Sequence, residues 1–177
     1  MGRSLRGIDI RHYGSGNIGT TNAFRILGPQ LGVLVLIGDF SKGAIAVWIA
    51  QALGSEYLAV GAGLAAMAGH NWSIFLGFRG GRGVATAAGA VFALDPWGVL
   101  VLFLIWTLTI LITRYVSVGS IAAALAAPFV VGLTSHSWLL AGFGLVAGCA
   151  VVYRHIPNLE RLRNGTEPQL KGSWHWR

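Results

Sequence analysis

Long apolar runs separated by short polar connections dominate the chain. Four of the runs have the composition of membrane-crossing α-helices, for which about 20 helical residues cover the roughly 30 Å hydrocarbon core. They span residues 31–53, 97–112, 116–133 and 138–153. The pattern therefore predicts four long helices embedded in a membrane.

Two shorter apolar runs, 58–68 and 84–94, flank a glycine-rich loop. Eleven residues of helix rise only about 16 Å, so neither run spans a bilayer comfortably. Irregular backbone is tolerated at membrane depth only where protein or a water-filled cavity surrounds it. We therefore expect an all-α integral membrane protein, a single domain over 1–177. Its bundle has about six transmembrane helices, with short half-helices around a cytoplasmic glycine-rich loop.

Composition supports a membrane protein, and charge indicates its orientation. The 177 residues are 54% hydrophobic and 11% charged, with a mean hydropathy of +0.64, which excludes an ordinary soluble domain. If the N-terminal segment is cytoplasmic, twelve of the thirteen Lys and Arg lie inside, as the positive-inside rule requires. These twelve are Arg3, Arg6, Arg11, Arg25, Arg79, Arg82, Arg114, Arg154, Arg161, Arg163, Lys171 and Arg177. The basic balance thus reflects topology, and no nucleic-acid partner is expected.

Asp39 and Lys42 interrupt the first long apolar run. They lie three residues apart on one helical face, so they are expected to pair with each other. A neutralised pair that faces other helices is one interpretation. A role in a functional site is the other, because charges inside a membrane are functional candidates by default.

The first polar segment, residues 14–25, is dense in glycine, hydroxyl, amide and guanidinium groups. Gly14, Gly16 and Gly19 formally match the dinucleotide-binding pattern G-x-G-x-x-G, but no strand precedes them, so that interpretation is weak. A flexible linker is the simplest alternative. The density of polar side chains, Arg25 included, instead suits a polar ligand.

The second polar segment, residues 69–86, combines glycines with two arginines and a His-Asn pair. It lacks the Lys-Ser/Thr ending and the spacing of a P-loop, so a nucleotide triphosphatase is not supported. Backbone amides at the start of the helix from Val84, reinforced by Arg82, are expected to hold a phosphate. The alternative is a tight turn whose arginines face lipid headgroups.

The third polar segment, residues 154–167, follows the last apolar run. Taken alone, it is typical of a basic tail that binds anionic headgroups. His155 and Asn158 are its informative pair, because they lie where the tail leaves the membrane, on the side expected for the other two segments. The sequence contains no metal-ligand cluster and no Ser-His-Asp constellation, so neither a metal nor a cofactor is expected.

Together these segments resemble the bacterial acyl-phosphate:glycerol-3-phosphate acyltransferases of the PlsY type. The resemblance is carried by Gly-Ser-Gly-Asn-Ile-Gly-Thr-Thr-Asn at 14–22 with Arg25, by Gly-His-Asn at 69–71 with Phe-Arg-Gly-Gly-Arg-Gly-Val-Ala-Thr at 78–86, and by Arg154, His155, Asn158 and Glu167. Asp-Phe-Ser-Lys-Gly at 39–43 and Tyr-Val-Ser-Val-Gly-Ser at 115–120 also resemble that family. The match covers nearly the whole chain, in the expected order.

The resemblance implies transfer of a fatty acyl group from acyl phosphate to the 1-hydroxyl of glycerol 3-phosphate. The products would be lysophosphatidic acid and phosphate, in phospholipid synthesis. Implied catalytic residues are Ser15, Arg25, His155 and Asn158; implied substrate-binding residues are Asn17, Thr21, Gly80, Gly81, Arg82, Gly83 and Ser117; Glu167 would be structural. The implied setting is the bacterial cell (inner) membrane, with a cytoplasmic active site, a monomer and no cofactor.

Two departures from the family pattern and one alternative function accompany the resemblance. Family members usually carry one more apolar span before the first motif, and Arg82 stands where the family commonly has lysine. A small membrane transporter or binding protein for an organic phosphate is the alternative, since half-helices around an anion site also occur in transporters. The group that takes the hydroxyl proton stays open between His155 and a phosphate oxygen of the donor.

Overall fold

The computed structural model of the protein describes residues 7–170. Within this range the chain is helical, with eight α-helices, two short 3-10 helices (Ile10–His12 and Ile74–Leu76) and no strand. The α-helices are α1 (Thr20–Leu27), α2 (Pro29–Ala52), α3 (Glu56–Asn71), α4 (Val84–Leu94), α5 (Pro96–Thr113), α6 (Val116–Ser135), α7 (Trp138–Arg154) and α8 (Ile156–Arg163). The predicted all-α fold is confirmed. Four residues of the charge argument, Arg3, Arg6, Lys171 and Arg177, lie outside the described residues.

Helix lengths divide the bundle into long and short elements. In the described range, α2, α5 and α6 are long and apolar enough to cross a membrane, and α7 with α8 is a fourth candidate, bent by 50°. The short helix α4 has the predicted bounds. By contrast, α3 is longer than the predicted run at both ends, because the Ser55 hydroxyl caps its first turn and the helix continues through His70 and Asn71. The glycine-rich loop therefore starts later than predicted.

A close contact between α2 and α4 fixes the depth of that loop. A Cβ at Gly43 would collide with the backbone of Thr86, and a Cβ at Gly89 would collide with the Phe40 carbonyl. Small residues of this kind let helix backbones approach each other inside bilayers. Gly43 follows Pro29, the first residue of α2, by 14 positions, or about 21 Å at 1.5 Å per residue. The start of α4 therefore lies level with the middle of α2, not with its first turn.

The core lies where α2, α3, α4, α6 and α7 meet, and Leu102 of α5 also belongs to it. Its largest fully buried side chain is Phe143 of α7, which packs on Gly63 of α3. Gly144 and Gly148 bring α7 onto the backbone of α6, because a Cβ at either position would meet that backbone. This packing holds the helix ends that carry the three polar segments.

Gly89→Ala should destabilise the fold, because the added methyl group would force α4 away from the Phe40 carbonyl. Overpacking of this kind costs about 1–3 kcal/mol. The apparent melting temperature of the purified protein in detergent should fall by several degrees, roughly 3–10 °C. The control is Gly142→Ala in α7, where a Cβ would meet nothing within 4 Å. A melting temperature that falls equally in both variants would contradict the close α2–α4 contact.

Candidate active site

The first polar segment is folded around the side chain of Asn22, which is 1% exposed. Its Oδ1 accepts a hydrogen bond from the Ser15 amide at 3.0 Å. Its Nδ2 donates to the carbonyl oxygens of Ile10, Tyr13 and Asn17 at 3.1, 3.1 and 2.8 Å. A buried amide with four hydrogen bonds fixes the loop, so the segment is not a flexible linker. Asn22 lies within the first motif, but its structural role was not predicted.

The predicted site residues of this segment occupy different positions. Ser15 is half-buried and Thr21 is exposed. Asn17 uses its Oδ1 to accept a hydrogen bond at 2.7 Å from the amide two residues later, just before α1. Arg25 lies in the last turn of α1, where its charge acts on Arg82 of the glycine loop. Arg25 of the first segment is therefore close enough to Arg82 of the second segment for their charges to interact.

Gly80 and Gly81 lie where the loop folds back against the end of α3. Their amides donate to the carbonyl oxygens of Asn71 at 3.2 Å and His70 at 3.1 Å. A Cβ at Gly80 would collide with these carbonyls, and one at Gly81 would collide with the His70 ring. Both amides are thus used within the protein, so these glycines shape the loop in this conformation. Their contact with a substrate stays a prediction.

His70 connects the same loop to α2. Asp39 is 6% exposed, and its Oδ1 lies 2.7 Å from Nζ of Lys42, which confirms the predicted pair. The same oxygen lies 3.4 Å from Nδ1 of His70, whose side chain is also buried. Helical periodicity predicts the first contact because both residues share a helix. It cannot predict the second, which joins α2 to α3.

Arg154, the last residue of α7, fastens the glycine loop from another side. Its Nε donates to the Gly81 carbonyl and its Nη2 to the Gly80 carbonyl, both at 3.0 Å. Its guanidinium also lies 6.0 Å from the centre of the Trp72 ring, a cation–π distance. A planar guanidinium suits two neighbouring acceptors. Arg154 belongs to the third motif, but this clamp was not predicted; its one sequence signal is a basic residue at the end of an apolar run.

The start of α4 presents hydrogen-bond donors beside buried polar side chains. Gly83 precedes the helix in the left-handed conformation, with φ of 77°, and a Cβ there would collide with the side-chain amide of Asn71. The first amides of an α-helix have no intrahelical partner and carry partial positive charge. The buried Asn71 amide and the Thr86 hydroxyl have no hydrogen-bond partner among the described residues. The start of α4 thus offers free amides and unpartnered polar side chains to an anion, and phosphate binding there stays a prediction.

Arg82, next to this helix start, is buried near other arginines, and both conditions disfavour its charged form. Burial is the main cause that lowers the pKa of Arg82 to about 10. Neighbouring positive charges add to the effect; in order, they come from Arg161, Arg154 and Arg25, while Glu167 opposes them. The guanidinium is still protonated at pH 7. Four positive charges from all three polar segments therefore share one region.

Glu167, in the tail that follows α8, forms hydrogen bonds back to that helix. Its Oε1 accepts a hydrogen bond from Nδ2 of Asn158 at 2.6 Å, and its Oε2 accepts one from Nε of Arg161 at 2.8 Å. Burial raises the pKa of Glu167, but these hydrogen bonds more than offset it, so that the pKa lies below its usual range. The carboxylate is therefore ionised at neutral pH and compensates part of the arginine cluster.

Two further hydrogen bonds attach the tail to the connection between α5 and α6. The amide of Leu170 donates to the Arg114 carbonyl at 2.8 Å, and Nε2 of Gln169 donates to the Tyr115 hydroxyl at 2.9 Å. Ser117, in the first turn of α6, is 4% exposed and contributes to the lowered pKa of Glu167. Its Oγ does not reach hydrogen-bond geometry with any described residue. The tail thus brings α6 to the same region as the other segments.

His155 lies between α7 and α8 and is 2% exposed. Its Nδ1 is 2.8 Å from the carbonyl oxygen of Val151, and because a carbonyl can only accept, Nδ1 carries the proton. Burial, with the charge of Arg82 nearby, lowers the pKa of His155 to about 4, although the hydrogen bond to Val151 opposes this. The ring is therefore neutral at pH 7, and its Nε2 is an acceptor.

Buried polar atoms without a hydrogen-bond partner concentrate at these helix ends. Across residues 7–170 they are Thr20 Oγ1, both amide atoms of Asn71, Thr86 Oγ1, Ser117 Oγ, Asn158 Oδ1 and Arg161 Nη2, with Thr107 Oγ1 elsewhere in α5. Buried polar groups in native proteins nearly always find partners. A polar ligand at the meeting point of the three segments would supply them.

An apolar groove of about 250 Å³ lies between α3 and α7 and reaches the end of α3. Its lining residues are Leu64, Met67, Ala68, Asn71, Trp72, Val146, Ala147 and Ala150. An apolar groove beside a cationic cluster suits an amphiphile with an anionic head. In the part of the chain that the structure describes, no group of three or more His, Cys, Asp or Glu could hold a metal ion.

Acid should weaken the fold through His155. Its pKa of about 4 in the folded protein lies below the ordinary value of about 6.5, so the unfolded chain binds the proton first as pH falls. The stabilisation is present above pH 6.5 and is lost progressively toward pH 4. The apparent melting temperature in detergent should therefore fall between pH 7 and pH 5, and less steeply in His155→Gln. Equal slopes in the two proteins would contradict this assignment.

Comparisons with known proteins show the family of the chain. The sequence model of a family described as glycerol-3-phosphate acyltransferase matches residues 1–165. Glycerol-3-phosphate acyltransferase 2 of Moorella thermoacetica is 50% identical over 170 residues, which cover 96% of this chain and 88% of that protein. The glycerol-3-phosphate acyltransferase of Geotalea daltonii is 46% identical over 166 residues, which cover 93% and 86%.

Two solved structures have the same fold. The crystal structure of PlsY, an integral membrane glycerol 3-phosphate acyltransferase, in its glycerol 3-phosphate form gives a TM-score of 0.89 at 40% identity, covering 95% of this chain and 85% of that one. Its lysophosphatidic acid form gives 0.86 at 40% identity, covering 94% and 84%. With its apolar helices, the protein is a multi-pass membrane protein. The chain belongs to the glycerol-3-phosphate acyltransferase family.

Proposed function

We propose that the protein transfers a fatty acyl group from acyl phosphate to the 1-hydroxyl of glycerol 3-phosphate, giving lysophosphatidic acid and phosphate. The observation that carries the proposal is the cluster of Arg25, Arg82, Arg154 and Arg161, contributed by all three polar segments. Such a cluster favours anions, and both substrates carry a phosphate. The relatives named for this activity, and the structural neighbour in glycerol 3-phosphate and lysophosphatidic acid forms, support it.

The acceptor phosphate is assigned to the start of α4. Arg82 supplies charge there, and Gly83 turns the chain into the helix in the left-handed conformation, beside the buried amide of Asn71. Helix N-termini bind phosphate through these amides and the positive end of the helix dipole. Gly80 and Gly81 contribute indirectly. Because they lack side chains, the loop can pack on α3, and their carbonyl oxygens accept hydrogen bonds from Arg154.

The donor phosphate is assigned to the first segment, at Ser15 and Arg25, within the loop that also contains Asn17 and Thr21. The loop is held by Asn22, so these groups are positioned before a ligand arrives. Fixed donors of this kind stabilise developing charge without having to reorganise during the reaction. The groove between α3 and α7 is the described space that suits the apolar acyl chain.

The chemistry needs positioning more than a protein nucleophile. Acyl phosphate is an activated mixed anhydride, so the glycerol 1-hydroxyl can attack the acyl carbon directly while the bond from that carbon to the phosphate oxygen breaks. The hydroxyl proton must then reach a base. Burial lowers the pKa of His155 to about 4, so its ring is a poor base at neutral pH. We therefore assign the proton to the departing phosphate, and to Nε2 of His155 the role of orienting the hydroxyl.

Asn158 and Ser117 complete the proposed site from the tail side. The unpartnered Asn158 Oδ1 can accept a hydrogen bond from a substrate hydroxyl, and the Ser117 hydroxyl can donate one to a phosphate oxygen; the amide nitrogen of Asn158 is occupied by Glu167. Glu167 is assigned a structural role, because it joins Asn158 to Arg161. The assignments of site residues rest on this geometry together with the family motifs.

The proposed setting is the bacterial inner membrane, with the site on the cytoplasmic face and the protein as a monomer of one domain. The distribution of Lys and Arg supports this orientation. No cofactor or metal is included in the proposal, because the donor is already activated. Glycerol 3-phosphate and acyl phosphate then reach the site from the side where metabolism makes phosphorylated intermediates.

The activity is tested by phosphate release from a long-chain acyl phosphate by the purified protein in lipid, with and without glycerol 3-phosphate. Release that depends on the acceptor, with lysophosphatidic acid formed in equal amount, is expected. Release without the acceptor would indicate a phosphatase. Binding of glycerol 3-phosphate with no transfer would favour the transporter or binding-protein alternative.

Ser15→Ala and Arg25→Ala in the same assay should each lower kcat by roughly a hundredfold or more, the scale of a lost donor to developing charge. Arg163→Ala is the matched control, because Arg163 is an exposed arginine at the end of α8. It should retain wild-type turnover. Near-normal rates for Ser15→Ala or Arg25→Ala, with the protein present in the membrane, would remove the first segment from the site.

A further inference from the structure

Asp39 is a buried carboxylate whose two neighbours differ in kind. Lys42, on the same helix, lies 2.7 Å away, but its side chain is 58% exposed. His70, from α3, lies 3.4 Å away, and its side chain is 6% exposed. One oxygen of Asp39, Oδ1, therefore contacts both the exposed Lys42 and the buried ring of His70. Lysine alone would satisfy its charge, so the contact with His70 calls for a separate account.

A carboxylate at this depth is expensive for the fold. Asp39 lies ten residues into α2, about 15 Å from its start, within a mostly apolar helix. The desolvation penalty of a buried carboxylate can exceed its attraction to a lysine, and here the lysine is largely exposed. The Asp39–Lys42 pair is therefore poorly explained by stability alone. Buried charges in membrane segments more often serve a site.

The ring of His70 lies against the glycine loop on the side away from Asp39. Nδ1 faces Asp39, whereas Nε2 faces Gly81, where an added Cβ would collide with it. The backbone carbonyl of His70 also accepts the Gly81 amide at 3.1 Å. The residue therefore holds Gly81 by both its ring and its backbone. A turned ring would displace Gly81, and with it the next residue, Arg82.

We propose that Asp39 is a positioning residue for acceptor binding, which acts by fixing the His70 ring under the glycine loop. The carboxylate oxygen, 3.4 Å from Nδ1 of His70, holds the ring by this polar contact, and the ring then sets the height of Gly81 and the direction of Arg82. This inference rests on the proposed function, in which Arg82 and the start of α4 bind the phosphate of glycerol 3-phosphate. Lys42 neutralises the carboxylate and has no part in positioning.

Two double variants separate positioning from charge pairing. Asp39→Leu with Lys42→Leu removes the ion pair and the oxygen that faces His70. Asp39→Asn with Lys42→Leu also removes the ion pair but keeps an oxygen acceptor of the same shape. Both proteins lack the buried charges, so they differ in the contact with His70. The steady-state kinetics of each variant are compared with those of wild type in the acyl phosphate assay, at equal amounts of folded protein. The melting temperature of each variant is measured as a check on its fold.

The double-leucine protein should show a KM for glycerol 3-phosphate raised about tenfold, the scale of one hydrogen bond to a charged group. Its kcat and its KM for acyl phosphate should stay within about threefold of wild type, because sites that are far apart affect each other only weakly. The Asn-Leu protein should recover most of the acceptor affinity. Adding His70→Phe to the double-leucine protein should change little further, because the contact is already lost.

A wild-type KM for glycerol 3-phosphate in the double-leucine protein would overturn the proposal. Equal impairment of both double variants would also overturn it, because the charge pair alone would then matter. If the double-leucine protein does not accumulate, His70→Phe tests the same contact, since phenylalanine fills the ring volume but has no donor for Asp39. An unchanged KM in His70→Phe overturns the proposal. Absence of acceptor-dependent transfer in wild type would instead overturn the proposed function itself.

Discussion

Mutual repulsion among arginines is the constraint on which the functional end of this protein depends. Arg82 is buried near Arg25, Arg154 and Arg161; burial is the main cause of its lowered pKa, and the neighbouring positive charges add to it. Each neighbour is restrained by the fold. Arg154 donates to two loop carbonyls, and Arg161 pairs with Glu167. The remaining positive charge is uncompensated within the described chain, and a bound phosphate would relieve it.

The apolar scaffold makes this crowding possible by holding distant segments at one level. Glycines at 43 and 89 let α4 lie directly on α2, so that its first turn stands beside the middle of that helix. Asp39 and Thr86 are buried where these helices meet, and electrostatic interactions between buried groups are stronger than at a protein surface. The same depth would place a water-soluble acceptor next to a donor whose chain lies in the membrane. A short helix is therefore useful here in a way that a full crossing would not be.

Regular elements could be predicted from the sequence because their signals are local. The bounds of α4 and the Asp39–Lys42 pair follow from hydrophobic runs and helical spacing. The segment 69–71 was assigned to the loop, yet His70 and Asn71 are the last turn of α3. Polar residues beside a glycine-rich loop indicate irregular backbone, and the tertiary contacts of His70 overrode that local pattern.

The details of the site could be predicted only in part. Motif resemblance predicts which residues form the site, but not why Gly80 and Gly81 must lack side chains, which depends on the His70 carbonyl and ring. The clamp from Arg154 joins residues more than 70 positions apart, and no periodicity reports such a contact. The burial of Asn22 is similar, because an amide with four hydrogen bonds looks in sequence like any polar loop residue.

A structure of the protein with glycerol 3-phosphate bound would test the central claim most directly. We predict the phosphate in contact with the Arg82 guanidinium and with amides of the first turn of α4, near Arg25, Arg154 and Arg161. Arg154 would keep its contacts with the glycine loop, and Arg161 would keep its contact with Glu167. A phosphate bound away from this cluster, or a glycine loop whose contacts with His70 and Arg154 are absent in the bound state, would contradict it.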